Sequence, residues 1–295
     1  MKISQALQVA QKKLQEKNID NPAFEALILL MSSTSFTKEK IVFNPDLLLE
    51  KNQENDFFAK ISRRQNREPV SHIIGKREFY GYDFVVTKNV LDPRPDSEAL
   101  VELVLENIAN KTQELKILEL GVGSGCLTIS LLKNLPNASA TGVDISPKAL
   151  EIAQKNAANN QVENRFKLLE SNLFSALEVE AAQKRAAQKF DIIISNPPYI
   201  PAAEIENLSD EVRLFEPRLA LDGGIDGLDF YRQIAAQAKN FLTPQGLVFL
   251  EVGHDQSRQV SEIFAAQEFE ARAIKRDLAG FERALMFEIA RSIFI

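Results

Sequence analysis

Residues that bind metals or cross-link chains are scarce here. The only cysteine is Cys126, which excludes an intramolecular disulfide. The two histidines, His72 and His254, stand far apart, so no zinc-type ligand spacing exists and no metal is expected. No stretch approaches the roughly 20 apolar residues that a membrane helix needs. The N-terminus, Met1-Lys2-Ile3-Ser4-Gln5, lacks the apolar core of a signal peptide. The sequons at Asn110 and Asn137 have no other sign of secretion beside them. A soluble, cytoplasmic protein is therefore expected, with no membrane partner. Long basic runs are also missing, and the net charge is -6. Non-specific grip on duplex DNA comes mainly from Lys and Arg at phosphates, so duplex DNA is not the expected partner.

With 295 residues, 45% of them hydrophobic, the chain can bury a large domain and a small one. Glycine does not occur before Gly75, and residues 1–74 read as a helical bundle. Leu7, Ala10 and Leu14 keep helical spacing, and Asn21-Pro22 opens an apolar run from Phe24 to Met31. Thr37 starts a short helix, and Phe57 and Ile61 mark a later one. Residues 75–95 change character. Phe79-Tyr80-Gly81-Tyr82-Asp83-Phe84 is aromatic and broken by glycine, which predicts a β-hairpin linker. Asp96 or Ser97 is then expected to cap a helix.

From 96 to 295 strands and helices alternate. Strands are predicted at 117–120, 140–143, 166–169 and 190–195, with helices at 126–134 and from Ser146-Pro147 to Asn159. Residues 176–189, rich in Ala, Gln, Lys and Glu, read as a solvent-exposed helical excursion, and 200–227 as a long loop. A helix carrying Leu228 to Leu242 leads through the turn Thr243-Pro244-Gln245-Gly246 to a strand ending near Val252. One more helix follows. The last two strands, near 269–275 and 284–290, have no helix between them, so they form a closing antiparallel hairpin. The pattern predicts an α/β fold, a mostly parallel sheet covered on both faces.

Glu119-Leu120-Gly121-Val122-Gly123-Ser124-Gly125 joins the first of these strands to its helix. Glycines let backbone turn tightly and approach a ligand where a Cβ would clash. Asp144 ends the second strand, 19 residues after Gly125, where a carboxylate can accept both hydroxyls of a ribose. Together they describe a site for an adenosine-containing ligand. Cys126 reads as a small buried residue without chemistry.

Asn196-Pro197-Pro198-Tyr199 follows the strand Phe190–Ser195. The prolines stop further pairing and helix formation. The Asn196 oxygen and a proline-fixed carbonyl are two acceptors suited to the hydrogens of a planar NH2 group, and Tyr199 offers an aromatic face. Tyr199 reads as part of the site in preference to an ordinary core tyrosine. Three readings compete. A methyltransferase explains the glycine loop, Asp144 and the Asn-Pro-Pro-Tyr corner together. A dinucleotide oxidoreductase leaves the corner idle. A non-catalytic adaptor makes all three accidental. Arg94 either clamps a carbonyl or carboxylate or pairs with Glu98. Glu251 is expected to be a helix cap or surface charge, and His254 a loop residue.

At these residues the sequence resembles a known family. Asn196-Pro197-Pro198-Tyr199 is similar to the target-binding motif of amino methyltransferases. Arg67-Glu68-Pro69-Val70, Arg77 to Gly81, Pro93 to Glu98, Gly121 to Gly125, Ser195 to Pro201, Glu216 to Leu221, Gly223 to Leu228 and Asp277 to Gly280 resemble HemK/PrmC-type glutamine methyltransferases in their order. The resemblance implies a class I methyltransferase sheet of seven strands, the last one antiparallel, and S-adenosyl-L-methionine as cofactor. Its substrate would be the glutamine of the Gly-Gly-Gln motif in peptide chain release factors. A large-subunit ribosomal protein, or adenine in DNA, is the alternative. It implies that Gly121, Val122, Gly123, Ser124, Gly125, Asp144, Leu173 and Asn196 contact the cofactor. It implies that Asn196, Pro197, Pro198 and Tyr199 bind the target, with Asn196, Pro197 and Tyr199 catalytic. The helical bundle would dock the factor. Glu119 and Val122 depart from the family's more usual Asp and Thr, Asp92 from an apolar residue, Asn172 from Asp, and Leu173 from a bulkier side chain.

Overall fold

A computed structural model describes residues 1–184 and 188–290. Its backbone contacts divide the chain into two units, one of Met1–Lys76 with Ser209–Phe215 and one of Arg77–Leu208 with Glu216–Ile295.

The first unit is helical: α1 Ile3–Gln15, α2 Pro22–Thr34, α3 Lys38–Phe43, α4 Lys51–Gln65 and α5 Val70–Ile74. Ile3, Ala6, Ala10 and Leu14 form the buried stripe of α1 and meet Leu29, Leu30, Phe57 and Ile61 in one apolar cluster. Thr37 caps α3 by accepting the Lys40 N–H, as expected. Asn21 does not cap α2 with its side chain. It takes a left-handed conformation (φ 50°) and leaves Pro22 to open the helix. Arg64 is buried and pairs with Glu25 and Glu211 at 2.6 and 3.1 Å, so Ser209–Phe215 is held to the unit by charge.

The boundary between the units falls at the start of a hairpin, β1 Lys76–Phe79 and β2 Tyr82–Val85, turning at Tyr80 and Gly81, both at positive φ. Then come α6 Glu98–Glu106, β3 Lys116–Leu120, α7 Cys126–Asn134, β4 Ser139–Asp144, α8 Pro147–Asn159, β5 Phe166–Glu170, α9 Ser175–Lys184 and β6 Phe190–Ser195. The remainder is the short α10 Asp210–Arg213, which belongs to the first unit, α11 Asp229–Ala238, β7 Leu242–Glu251, α12 Ser257–Ala265, β8 Phe269–Arg276 and β9 Glu282–Ile289. The sheet order is β5-β4-β3-β6-β7-β9-β8. β3 to β7 pair in parallel, and β9 runs antiparallel between β7 and β8. Helices cover both faces, over two separate apolar clusters. The expected α/β fold with seven strands is the one found.

Three details depart from expectation. Residues 243–246 are not a turn before the strand but lie inside β7. Phe190 pairs with Leu242 and Ile192 next with Leu247, so this stretch bulges out of the ladder. The 176–189 excursion is helical only from Ser175 to Lys184 among the described residues, with 185–187 outside them. It is also anchored, because Leu177 is buried in the core. The loop 200–227 contains short helical turns at Ile205–Asn207 and Arg218–Ala220.

The strand order reverses between β3 and β6. Carboxyl ends of strands at such a point form the ligand crevice of open α/β sheets. Gly121, Asp144 and Asn196 follow or end β3, β4 and β6 there.

Candidate active site

A cavity of about 390 Å³ opens at that edge. Its wall includes Gly121, Val122, Gly123 and Ser124 of the first loop, Asp144, Leu173 and Asn172, and Asn196 and Pro198. Gly121 and Gly123 adopt positive φ (72° and 52°), and a Cβ on either would meet nothing within 4 Å. Their bare backbone faces open space. Gly125 differs: a Cβ there would approach Ile129 at 3.1 Å, so this glycine serves helix packing.

Asp144 is held on both sides. The Gly123 N–H donates to Oδ2 and the Ser146 N–H to Oδ1, each at 2.9 Å. Burial raises its carboxyl above the usual range, opposed by these backbone donors. Ser146 caps α8 through its own hydroxyl, which frees Asp144 from that duty. Leu173 takes a left-handed φ of 47°, uncommon for a branched residue, with its carbonyl accepting the Ser171 hydroxyl at 2.7 Å.

Asn196 lies at the mouth of β6, its Nδ2 donating to Ser97 Oγ at 3.3 Å. Pro198 shares the wall, and Pro197 is buried beside it in the chain and does not line the cavity. Tyr199 packs against the core and directs its hydroxyl to Glu251 Oε1 at 3.5 Å. Burial pushes this phenol well up, with the Glu251 charge adding to it. The corner is braced from below. The Gln256 side chain donates to the Tyr199 carbonyl at 2.9 Å, and Ile200 pairs with the segment around Asp222.

Arg94 does not pair with Glu98. Its guanidinium donates to both oxygens of Glu216 at 2.6 and 2.7 Å. Glu251 is not a surface charge or cap: it ends β7 at 1% exposure. Cys126 is half-buried in the cavity wall, and desolvation lifts its thiol to about 12, so it stays protonated. Ser97 does not cap α6, because its hydroxyl is engaged with Asn196.

S-adenosylmethionine fits this site by the chemistry of its lining. Bare glycine backbone borders the open space, a carboxylate stands at the strand end where a ribose would lie, and Leu173 and Val122 supply apolar wall.

The pattern described as "Methyltransferase small domain" matches residues 94–212, and "PrmC N-terminal domain" matches residues 5–75. Over 288 residues the chain is 40% identical to the release factor glutamine methyltransferase of Agrobacterium fabrum, covering 97% of this chain and 96% of that protein. The chain belongs to the release factor glutamine methyltransferase family. The Caulobacter vibrioides member is 39% identical over 94% of this chain and 93% of its own length. A methyltransferase structure from Pyrococcus furiosus shares the fold, with TM-score 0.54 and 18% identity over 78% of this chain and all of that one. Family membership makes this chain a methyltransferase with S-adenosylmethionine as donor and sets aside the oxidoreductase and adaptor readings. No helix among the described residues is long and apolar enough to cross a membrane.

Three buried carboxyls surround the site: Glu119 at about 8, Glu216 at about 7 and Glu251 at about 7, each raised chiefly by desolvation from 4.5. Between 4.5 and these values the folded chain holds protons that the unfolded chain has released. Stability therefore falls as pH rises through that window. Carboxyls lowered by pairing, such as Glu68 hydrogen-bonded to Arg63, act below it and lose stability as pH falls. A net effect of about 2 kcal/mol lowers the melting midpoint of a chain of this length by about 3 °C between about pH 5.5 and 8. Scanning calorimetry of the ligand-free protein measures this directly, and a midpoint that rises across the interval contradicts it.

Proposed function

We propose that this protein transfers the methyl group of S-adenosylmethionine to the side-chain amide nitrogen of the glutamine in the Gly-Gly-Gln motif of peptide chain release factors. One observation carries the reading: Asn196 and Pro198 border the same cavity as Gly121, Gly123 and Asp144. A carboxamide thus stands beside the space bordered by bare glycine backbone and the strand-end carboxylate. When bound, S-adenosylmethionine supplies an electrophilic methyl group on a sulfonium.

An amide nitrogen is a weak nucleophile because its lone pair is delocalised, so positioning carries much of the acceleration. The Asn196 oxygen and the Pro197 carbonyl accept the two amide hydrogens. As the methyl's bond to sulfur gives way to the new N–C bond, leaving a neutral thioether, positive charge passes to the nitrogen and both hydrogen bonds strengthen. The methylated nitrogen then releases a proton to water, so no strong base is needed. Tyr199 supports the amide-binding corner from behind.

Asp144 holds the donor's ribose, and Gly121 to Ser124, with Leu173, shape the pocket around it. Charge-assisted hydrogen bonds are worth about 1.5–3 kcal/mol. Asp144→Ala should therefore raise KM for the methyl donor about 10- to 100-fold, with kcat at saturation changed far less. An unchanged KM in steady-state assays removes the role.

The helical unit docks the factor, in keeping with Phe24, Val42 and Phe43, which are exposed on α2 and α3. Phe43→Ser is expected to raise KM for the intact factor about fivefold and to leave turnover of a short Gly-Gly-Gln peptide unchanged. Equal effects on both substrates, or none on either, contradict this docking role. The protein is expected to work in the cytoplasm, without duplex DNA as partner.

The deciding experiment incubates the enzyme and labelled donor with a release factor, with large-subunit ribosomal proteins and with duplex DNA, followed by mass spectrometry. Methyl on the Gly-Gly-Gln glutamine is expected. Label in DNA or a ribosomal protein, and none in the factor, reverses the proposal.

A further inference from the structure

An amide has two ends that differ in kind. Asn196 serves the target as an acceptor only with Oδ1 facing it, because a turned amide would set N–H against N–H. Its local surroundings decide the direction. Asn196 Nδ2 donates to Ser97 Oγ, and Ser97 is 3% exposed in the turn Pro95–Ser97. A hydroxyl carries a single hydrogen. Ser97 stands beside Glu251 and favours its charged form, and an ionised carboxylate only accepts. Glu251 Oε1 takes the Tyr199 O–H, and Oε2 is buried with no partner of hydrogen-bond geometry. An acceptor therefore remains to draw the Ser97 hydrogen. Once Ser97 has donated, its oxygen can only accept from Asn196.

We propose that Ser97 and Glu251 are positioning residues: the carboxylate sets the polarity of a buried chain that runs from Asn196 through Ser97 to Glu251, so that the Asn196 oxygen faces the target amide. The same carboxyl also takes the Tyr199 hydroxyl, so it holds the first and last residues of the Asn-Pro-Pro-Tyr corner. This rests on the proposed role of Asn196 and adds how its orientation is maintained.

The chain has a pH signature. Burial raises the Glu251 carboxyl to about 7, opposed by Ser97, Arg283 and Tyr199 and assisted by Asp96. Tyr231 on α11 and Cys126 on α7 also face it, both with raised pKa values, and they stay neutral through this range. Protonated Glu251 can donate to Ser97, and the chain then runs in either direction. Turnover should acquire an acidic limb near neutrality.

The test compares kcat and KM across pH for full-length wild type, Ser97→Ala, Ser97→Thr, Glu251→Gln and Asn196→Ala, with release factor as substrate and thermal melts as folding controls. Ser97→Ala is expected to lower kcat about tenfold, the value of one well-placed hydrogen bond, with both KM values near wild type. Ser97→Thr, which keeps the hydroxyl, restores turnover. Glu251→Gln loses the acidic limb. If Ser97→Ala does not fold, the Ser97→Thr rate and the Glu251→Gln profile decide. Ser97→Ala near wild-type kcat, or an acidic limb that persists in Glu251→Gln, overturns the proposal while a crippled Asn196→Ala leaves the role of Asn196 intact. A fully active Asn196→Ala overturns both.

Discussion

Asn196→Ala is expected to lower kcat by about 10²–10³, the loss seen when one preorganised hydrogen-bonding group is removed from a transition state, about 3–4 kcal/mol. The argument is electrostatic. The target amide carries little charge in the ground state and gains a full positive charge on nitrogen as the methyl arrives. An acceptor aimed at its N–H groups is worth more in the transition state than before it, and only that difference accelerates the step. The binding contribution is smaller, so KM for the factor should change little. Alanine leaves the strand intact because β6 is held by Ile192, Ile193 and Ile194, paired to β3 and β7. Single-turnover assays with saturating donor read the chemical step, and thermal melts exclude unfolding. A variant within tenfold of wild type would remove Asn196 from the reaction.

Legibility in the sequence follows a physical line. Buried parallel strands are written as continuous apolar runs, so β3, β4 and β6 stand out, and each ends at a residue whose character changes abruptly: Gly121, Asp144, Asn196. The side chains that hold these residues do not announce themselves, because their partners are remote. Ser97 stands 99 positions from Asn196, Gln256 57 from Tyr199, and Arg94 122 from Glu216. Locally, Ser97 before an apolar run reads as a helix cap, and Glu251 after a strand reads as a surface charge. Only the sheet, which brings the carboxyl ends of β6 and β7 together, gives each its actual neighbour. The bulge at 243–246 was half-visible: Pro244 and Gly246 signal a break in pairing, but not that the strand resumes its pairing beyond it. For Glu119, Asp92 and Asn172, which depart from the usual family residues, the departure was visible and its consequence was not.

The stretch Gly223 to Gly227 resembles the family without any chemistry to explain it, and packing supplies the reason. A Cβ on Gly227 would stand 2.4 Å from the Tyr199 carbonyl oxygen and 2.8 Å from Gln256 Nε2. At Gly223 it would stand 2.8 Å from the Tyr199 Cα and 2.9 Å from the Pro198 carbonyl oxygen. These glycines are the floor on which the Asn-Pro-Pro-Tyr corner rests, and backbone cannot yield as a flexible side chain can. Gly227→Ala should therefore combine a left-handed φ of 75° with a backbone clash. The first costs about 1–2 kcal/mol and the second about 1–3 kcal/mol, so a loss of about 3 kcal/mol in stability is expected. The rate should suffer beyond what stability explains, because an acceptor displaced by about 1 Å can lose about a hundredfold. Donor binding, proposed above to rest on Gly121 to Ser124 and Asp144, should persist. Denaturant melts, calorimetric titration of the donor and turnover measured well below the melting midpoint separate the three quantities. If Gly227→Ala retains wild-type turnover while folded, the corner tolerates displacement, and a rigid acceptor pair is not what drives the reaction.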